Sequence, residues 1–297
     1  MGYKYPPATG DPSGVAQNFE RIKINIQCCR YWWLSRWKHK RLSYPFWRLY
    51  YNFNEGASVF YKQRTGLSPE KLLLIPPFTP FSTDLEGSGD AYGLEGGWIK
   101  SQEIEDRSRL AGHVLHLFVH FNLGYPMDSV APGVYEIEAG EEELATIVQI
   151  AGKLKLGSLR FSLEETLLLH KLITSLLVRL PKGVWQSEQP EARVQRVIQY
   201  MNQNFEKRLT NVELAGLTGM AANSFARLFR EQTGSSPMRY LTKIRIENAC
   251  NMLYHTDTDV SRIAEESGYS DRYYFSKMFR KEMGISPVRY RKQFVLG

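Results

Sequence analysis

The chain has 297 residues, with 38 Lys and Arg against 31 Asp and Glu for a net charge of +7. That length supports two domains, each with its own core, and the composition is that of an ordinary globular protein rather than a disordered or fibrous one. No apolar run reaches the ~18 residues that a membrane span needs, and no apolar segment follows Lys4, so a protein without a span or secretory signal, working in the cytoplasm, is expected.

In chain order, residues 1–18, with Pro6, Pro7, Gly10, Pro12 and Gly14, read as a flexible arm. Residues 19–140 read as short strands. Ile22, Ile24 and Ile26 alternate with polar residues, the period of a half-buried strand. Aromatic stretches follow at 31–33, 46–51 and 59–61. Residues 72–80 form a strand broken by prolines, and 113–121 another ending at Asn122-Leu123-Gly124. Regular strands separated by Gly and Pro turns predict a sandwich or barrel. Cys28, Cys29 and Cys250 make no disulfide framework and suit a reducing compartment. The neighbouring Cys28-Cys29 is better read as small apolar residues on a strand than as a redox or metal pair. Residues 141–180 read as two helices. Leu144, Ile147, Val148 and Ala151 form the stripe of the first, and a Ser162–Glu165 capping box opens the second. The interior of that second helix is apolar on more than one face, so it must be covered by the barrel, by a second chain, or by both. Residues 181–190, bounded by Pro181 and Pro190, read as a linker.

Residues 191–297 contain a repeat. Phe225, Phe229, Arg230, Gly234, Ser236, Pro237, Arg239 and Tyr240 return fifty residues later as Phe275, Phe279, Arg280, Gly284, Ser286, Pro287, Arg289 and Tyr290. Each copy is one supersecondary unit: a short helix, a Gly turn, and a second helix rich in Arg and Lys. Upstream, Leu214-Ala215 before Gly219 matches Ile263-Ala264 before Gly268, one residue out of step, and a turn absorbs the difference. Thr210–Glu213 is a capping box, and Asp259 caps the equivalent helix. This segment carries 17 Lys and Arg against 11 Asp and Glu, so almost the whole positive charge of the chain lies in it. A basic domain gains affinity for a polyanion by releasing counterions.

The frame at 275–291, the run Ile244-Arg245-Ile246-Glu247-Asn248-Ala249 and the turn Gly268-Tyr269-Ser270-Asp271 resemble the DNA-binding domain of the arabinose-regulator (AraC/XylS) family. The resemblance implies an α+β protein. Its all-α C-terminal domain would have seven helices and two helix-turn-helix units (210–233 and 259–283), joined by a long helix at about 237–254. By position in the family motif, Asn223 and Arg227 of the first unit and Arg272, Tyr273 and Lys277 of the second are the expected base readers. Ser224, Arg230, Arg239, Arg280 and Arg289 are the expected phosphate or packing contacts. Ala221 departs from the family pattern, which has a capping residue there. Leu74–Phe81 and Val119-His120-Phe121 resemble, less specifically, the cupin-like jelly-roll barrel that holds an effector in many members. The resemblance implies a small-molecule effector, a carbohydrate by this reading, with Trp33, Arg48, Tyr50, His116 and His120 as candidate contacts. The partners implied are double-stranded promoter DNA, RNA polymerase and a second copy of the chain through the 141–180 helices. The alternative is a cupin-type, metal-dependent sugar enzyme with an accessory DNA-binding tail. A strand puts His116 and His120 on one face but about 13 Å apart, with His113 on the other, so they build no metal triad. No His-x-His pair occurs, and no catalytic residue, metal or cofactor is expected. A zinc-dependent DNA-repair module would need four cysteines where this chain has three.

Overall fold

A computed structural model describes residues 22–99, 113–124, 127–155, 160–185 and 190–292; the 1–18 arm lies outside them. The fold is α+β. Among the described residues nine strands come first: β1 (Asn25–Leu42), β2 (Trp47–Asn52), β3 (Ala57–Phe60), β4 (Arg64–Leu67), β5 (Lys71–Ile75), β6 (Phe81–Leu85), β7 (Gly93–Trp98), β8 (Val114–Asn122) and β9 (Tyr135–Glu138). They pair antiparallel in the order β4-β3-β6-β1-β8-β2-β5-β9, with β7 also on β1. β1 is 18 residues long and its register shifts between Ile26 and Cys28, Leu34 and Arg36, and His39 and Leu42. Such irregularities bend a strand. One strand therefore pairs with β8 along its first half and with β6 at its end, and the sheet curls until β4 returns against β5, a nearly closed barrel.

Ladder register separates the two faces. Cys28 opposes His120 and Trp32 opposes His116; on the other side of β8, Arg48 opposes His120 and Tyr50 opposes Phe118. Arg48, Tyr50, His116 and His120 turn into the barrel among Trp37, Tyr44, Phe46 and Phe81. Cys29, Tyr31, Trp47, Leu49, Leu117, Val119 and Phe121 turn outward and are covered by α1 (Glu141–Lys155) and α2 (Leu163–Val178). Cys28 and Cys29 thus face opposite ways. Cys29 joins the apolar core, whereas Cys28 faces a histidine.

The helices correct one detail of the sequence reading and narrow another. On α1 the buried stripe is Ile147, Ile150, Ala151 and Leu154, while Val148 is 61% exposed. On α2, Leu169, Leu172, Ile173, Leu176 and Leu177 all enter the core under the sheet, so the barrel covers most of its apolar surface. Leu163, Leu167 and Val178 are left in solvent. The Ser162–Glu165 capping box is formed, with both hydrogen bonds present. Part of the expected linker is packed: Lys182–Val184 form one 3₁₀ turn and Trp185 stacks on Trp47 at 5.8 Å.

From residue 192 the chain is helical: α3 (Ala192–Gln203), α4 (Asn211–Gly216), α5 (Ala222–Thr233), α6 (Pro237–His255), α7 (Val260–Glu266), α8 (Arg272–Met283) and α9 (Pro287–Lys292). Two cores form here, and α6 belongs to both. Leu241 and Ile244 pack with α3, α4 and α5 around Phe225 and Phe229. Ile246, Ala249, Cys250 and Leu253 pack with α7, α8 and α9 around Phe275 and Phe279. The repeated aromatics are therefore equivalent core pins of two units on one helical spine.

Candidate functional site

Each repeated unit buries its aromatics and exposes its cations. On α5, Phe225 and Phe229 are fully buried, so the helical period leaves Asn223, Ser224, Arg227 and Arg230 in solvent. On α8, Phe275 and Phe279 are buried, and Arg272, Tyr273, Lys277 and Arg280 are exposed. Tyr273 is 85% exposed, an aromatic ring with no place in the core. Arg227 reaches Glu231 only at 3.9 Å with both side chains exposed, a weak tether that a stronger anionic partner can replace. Arg272 donates to Ser261 Oγ at 3.2 Å, which holds it near the start of α7. Arg239 and Arg289 are exposed in the first turns of α6 and α9.

The two units are capped unequally. Thr210 and Glu213 exchange both capping-box hydrogen bonds, and Asp259 Oδ2 accepts from Ser261 N at 2.7 Å. Asp271 Oδ1 accepts from Tyr273 N at 2.6 Å and so starts α8. Ala221 stands at the same place before α5 with extended backbone and offers no side-chain acceptor. Between the units, Arg245 of α6 donates to Phe205 O at 2.7 Å and Lys207 O at 2.8 Å, and lies over the Tyr269 ring. Gly268 has φ +79°, and a Cβ there would stand 2.7 Å from Phe205 O and 2.9 Å from the Arg245 guanidinium. The turn ahead of α8 thus closes directly onto the first unit.

The barrel meets the same α6. Tyr254 packs edge-on against Tyr44, Phe46 and His120, and His255 lies against Phe46 and His120. Lys243 lies over the Phe78 ring, and Asn251 donates to Asn122 Oδ1 at 3.4 Å. Between barrel and helices opens a cleft of about 800 Å³, whose lining includes Asn25, Asn122, Asp128, Asn202, Glu247 and Asn248. Burial raises the Asp128 carboxyl to about 6. Burial, helped by Asp128 and opposed by Lys243, raises Glu247 to about 7.

Of the five candidate effector contacts, four converge: Arg48, Tyr50, His116 and His120 share the barrel's inward face and are 2–5% exposed. They are packed by other side chains and line no part of the cleft. His116 is held by Asn52 at 2.7 Å, and the Arg48 guanidinium lies 3.3 Å from the centre of the Tyr44 ring. Trp33 is on the opposite face, against His113, because its position on β1 is odd where that of Cys28 is even. Sequence reasoning missed Tyr254, His255 and the polar face of α6. The i, i+4, i+8 series Lys243, Glu247, Asn251 was the available signal, a polar stripe on a helix otherwise claimed by two cores.

Two recognition-type helices on a shared spine, with exposed cations and a barrel docked on that spine, define a class: transcription regulators with two helix-turn-helix units. A family model described as a helix-turn-helix domain matches residues 214–293. The lactose operon transcription activator of Staphylococcus xylosus is 30% identical over 222 residues, covering 70% of this chain and 80% of its own. The activator RhaS of Klebsiella pneumoniae is 31% identical over 107 residues, 35% of this chain and 38% of that protein. The solved structure of ToxT from Vibrio cholerae has the same fold, with a TM-score of 0.50 at 10% identity over 93% of this chain and all of that one. This chain belongs to the AraC/XylS family of DNA-binding transcription regulators.

Proposed function

We propose that the chain is an effector-controlled regulator in which a small polyhydroxylated molecule binds between the barrel and α6, and residues 191–297 read promoter DNA. One observation carries this reading: α6 joins the cores of both helix-turn-helix units and also walls the cleft against the barrel. A ligand there touches the element that sets how the two units are held. Coupling between two sites requires such a differential contact. The lining of amides and carboxylates beside Phe78 and Tyr240 suits a saccharide, which presents hydroxyls at its edges and an apolar ring face. The lactose operon activator agrees in class. On this reading the effector lies in the cleft rather than on Arg48, Tyr50, His116 and His120, which pack against other side chains inside the barrel.

In this reading α5 and α8 enter successive major grooves. Asn223, Arg227, Arg272, Tyr273 and Lys277 meet base edges, while Ser224, Arg230, Arg239, Arg280 and Arg289 hold phosphates. The chain would work on cytoplasmic promoters with RNA polymerase, as a dimer formed through the exposed side of α2 at Leu163, Leu167 and Val178. No helix among the described residues is long and apolar enough to cross a membrane. The relatives are regulators rather than cupin enzymes. The test is a thermal-shift screen of mono- and disaccharides with and without Asn251→Leu. A ligand that binds the native state raises its melting temperature. A saccharide that shifts the wild type but not the variant, and that changes DNA affinity, supports the reading. A saccharide shift equal in both removes the cleft from it.

A further inference from the structure

We propose that Cys28, His120 and His255 form a site for a thiophilic d10 metal ion, Cu(I) in preference to Zn(II), which clamps the barrel to the end of α6. Cys28 Sγ lies 3.3 Å from His120 Nδ1, and the donor atoms of all three residues lie within 4.8 Å of one another. Ligand atoms on one such ion at 2.0–2.3 Å stand roughly 3.3–3.8 Å apart, so the cysteine–histidine pair already has ligand spacing and His255 must approach by roughly 1 Å. His255 Nε2 is buried and has no hydrogen-bond partner among the described residues. A buried polar atom left in this way costs stability that a metal–nitrogen bond would return. Burial, aided by Arg48, disfavours the charged form of both imidazoles, and burial also pushes the Cys28 thiol up to about 12, so the ion must displace that proton.

The surroundings choose the ion. Phe46, Phe118 and Tyr254 pack around the two imidazoles and keep water out, as the apolar shell of a metal site does. The charges nearby are cationic: Arg48 acts on all three residues, and Arg30 on Cys28 and both histidines. Thiolate with Cu(I) makes a neutral core beside these guanidiniums, while thiolate with Zn(II) leaves a buried positive charge there. Three ligands also satisfy Cu(I), whereas Zn(II) takes a fourth. On binding, the Cys28 S–H proton leaves to solvent and the thiolate bonds the metal, with no change of oxidation state. Cys28 and His120 belong to the barrel and His255 to the last turn of α6, so occupancy would lock the docking of sensor on DNA-binding spine. This site does not depend on where the effector binds.

The test uses the reduced full-length chain without oxygen, titrated with Cu(I) held by a chromophoric chelator, in parallel with Zn(II) and Mg(II). One equivalent of Cu(I) should leave the chelator, with a thiolate-to-metal band in the ultraviolet, and Cys28→Ser or His255→Ala should abolish both. Cys250→Ser, a cysteine in the separate α6–α9 core, should change neither. Circular dichroism reports whether each variant is folded. If the variants unfold, alkylation of wild-type Cys28 read by mass spectrometry replaces them, and Cu(I) should protect it. No binding by the wild type, binding that survives Cys28→Ser, or unprotected Cys28 would overturn the site. Equal or tighter retention of Zn(II) would overturn the choice of ion.

Discussion

The unequal caps of α5 and α8 allow one position to be improved and its counterpart to be damaged. Ala221 has φ −64° and ψ 143°, extended geometry from which a serine hydroxyl reaches the amides of the first turn. Ala221→Ser should therefore stabilise the C-terminal domain by about 1 kcal/mol. Asp271→Ala removes the existing bond to Tyr273 N and should cost a similar amount. For a domain of roughly a hundred residues, 1 kcal/mol moves the melting temperature by about 4–8 °C. Differential scanning calorimetry on both variants gives the comparison directly, with Ala221→Ser up and Asp271→Ala down in the same transition. A neutral or destabilising Ala221→Ser would mean that the start of α5 is not limited by its missing cap, and the equivalence drawn between the two units would fail at that point.

Burial and charge set the other expected outcomes. Leu169→Asp or Leu176→Asp places a charge in the core beneath the sheet and should unfold the N-terminal domain by circular dichroism, at a cost of several kcal/mol, about 3–5. Leu167→Glu on the exposed side should keep the spectrum and, if α2 pairs with a second copy, yield monomers by light scattering. Asp128 and Glu247 have folded values of about 6 and about 7 against ordinary values of 3.8 and 4.5. Their contribution is fully present below the ordinary values and is lost as pH rises through the folded ones. The melting temperature of the docked chain should fall between about pH 4 and 7, and Glu247→Gln should flatten that fall. An unchanged slope would show that Glu247 does not titrate in this window. Gly268→Ala should destabilise both helix-turn-helix units together in calorimetry, since its methyl group meets Phe205 and Arg245 as well as a left-handed backbone.

The C-terminal half was legible because its information is local and stated twice. Each Phe, Gly, Ser-Pro and Arg-Tyr frame specifies a helix face, a turn and a helix start within one supersecondary unit, and the second copy sets the register. α6 at Pro237–His255 lies within a residue of the expected span. The barrel was legible as strands but not as faces. Which way Cys28 and Cys29 point depends on a register shift between Ile26 and Cys28, and that shift is decided by pairing with β8 about ninety residues away. Trp33 was misplaced for the same reason. Val148 sat on a plausible stripe, yet it is Ile150 and Leu154 that enter the core under the sheet. No local pattern announces that His255, at the end of a helix in one half, stands beside His120 on a strand in the other.

The central claim is that the two repeated units read two successive stretches of DNA. Selection of bound sites from randomised duplexes, with the wild type, Arg227→Ala and Lys277→Ala, tests it most directly. Two direct-repeat elements about 10 bp apart are expected, with Arg227→Ala relaxing preference in one and Lys277→Ala in the other, each by about 1–3 kcal/mol. Arg239→Ala should weaken all sites alike and lower the salt dependence of binding. A single selected element, or two elements that respond together to either substitution, would contradict the claim.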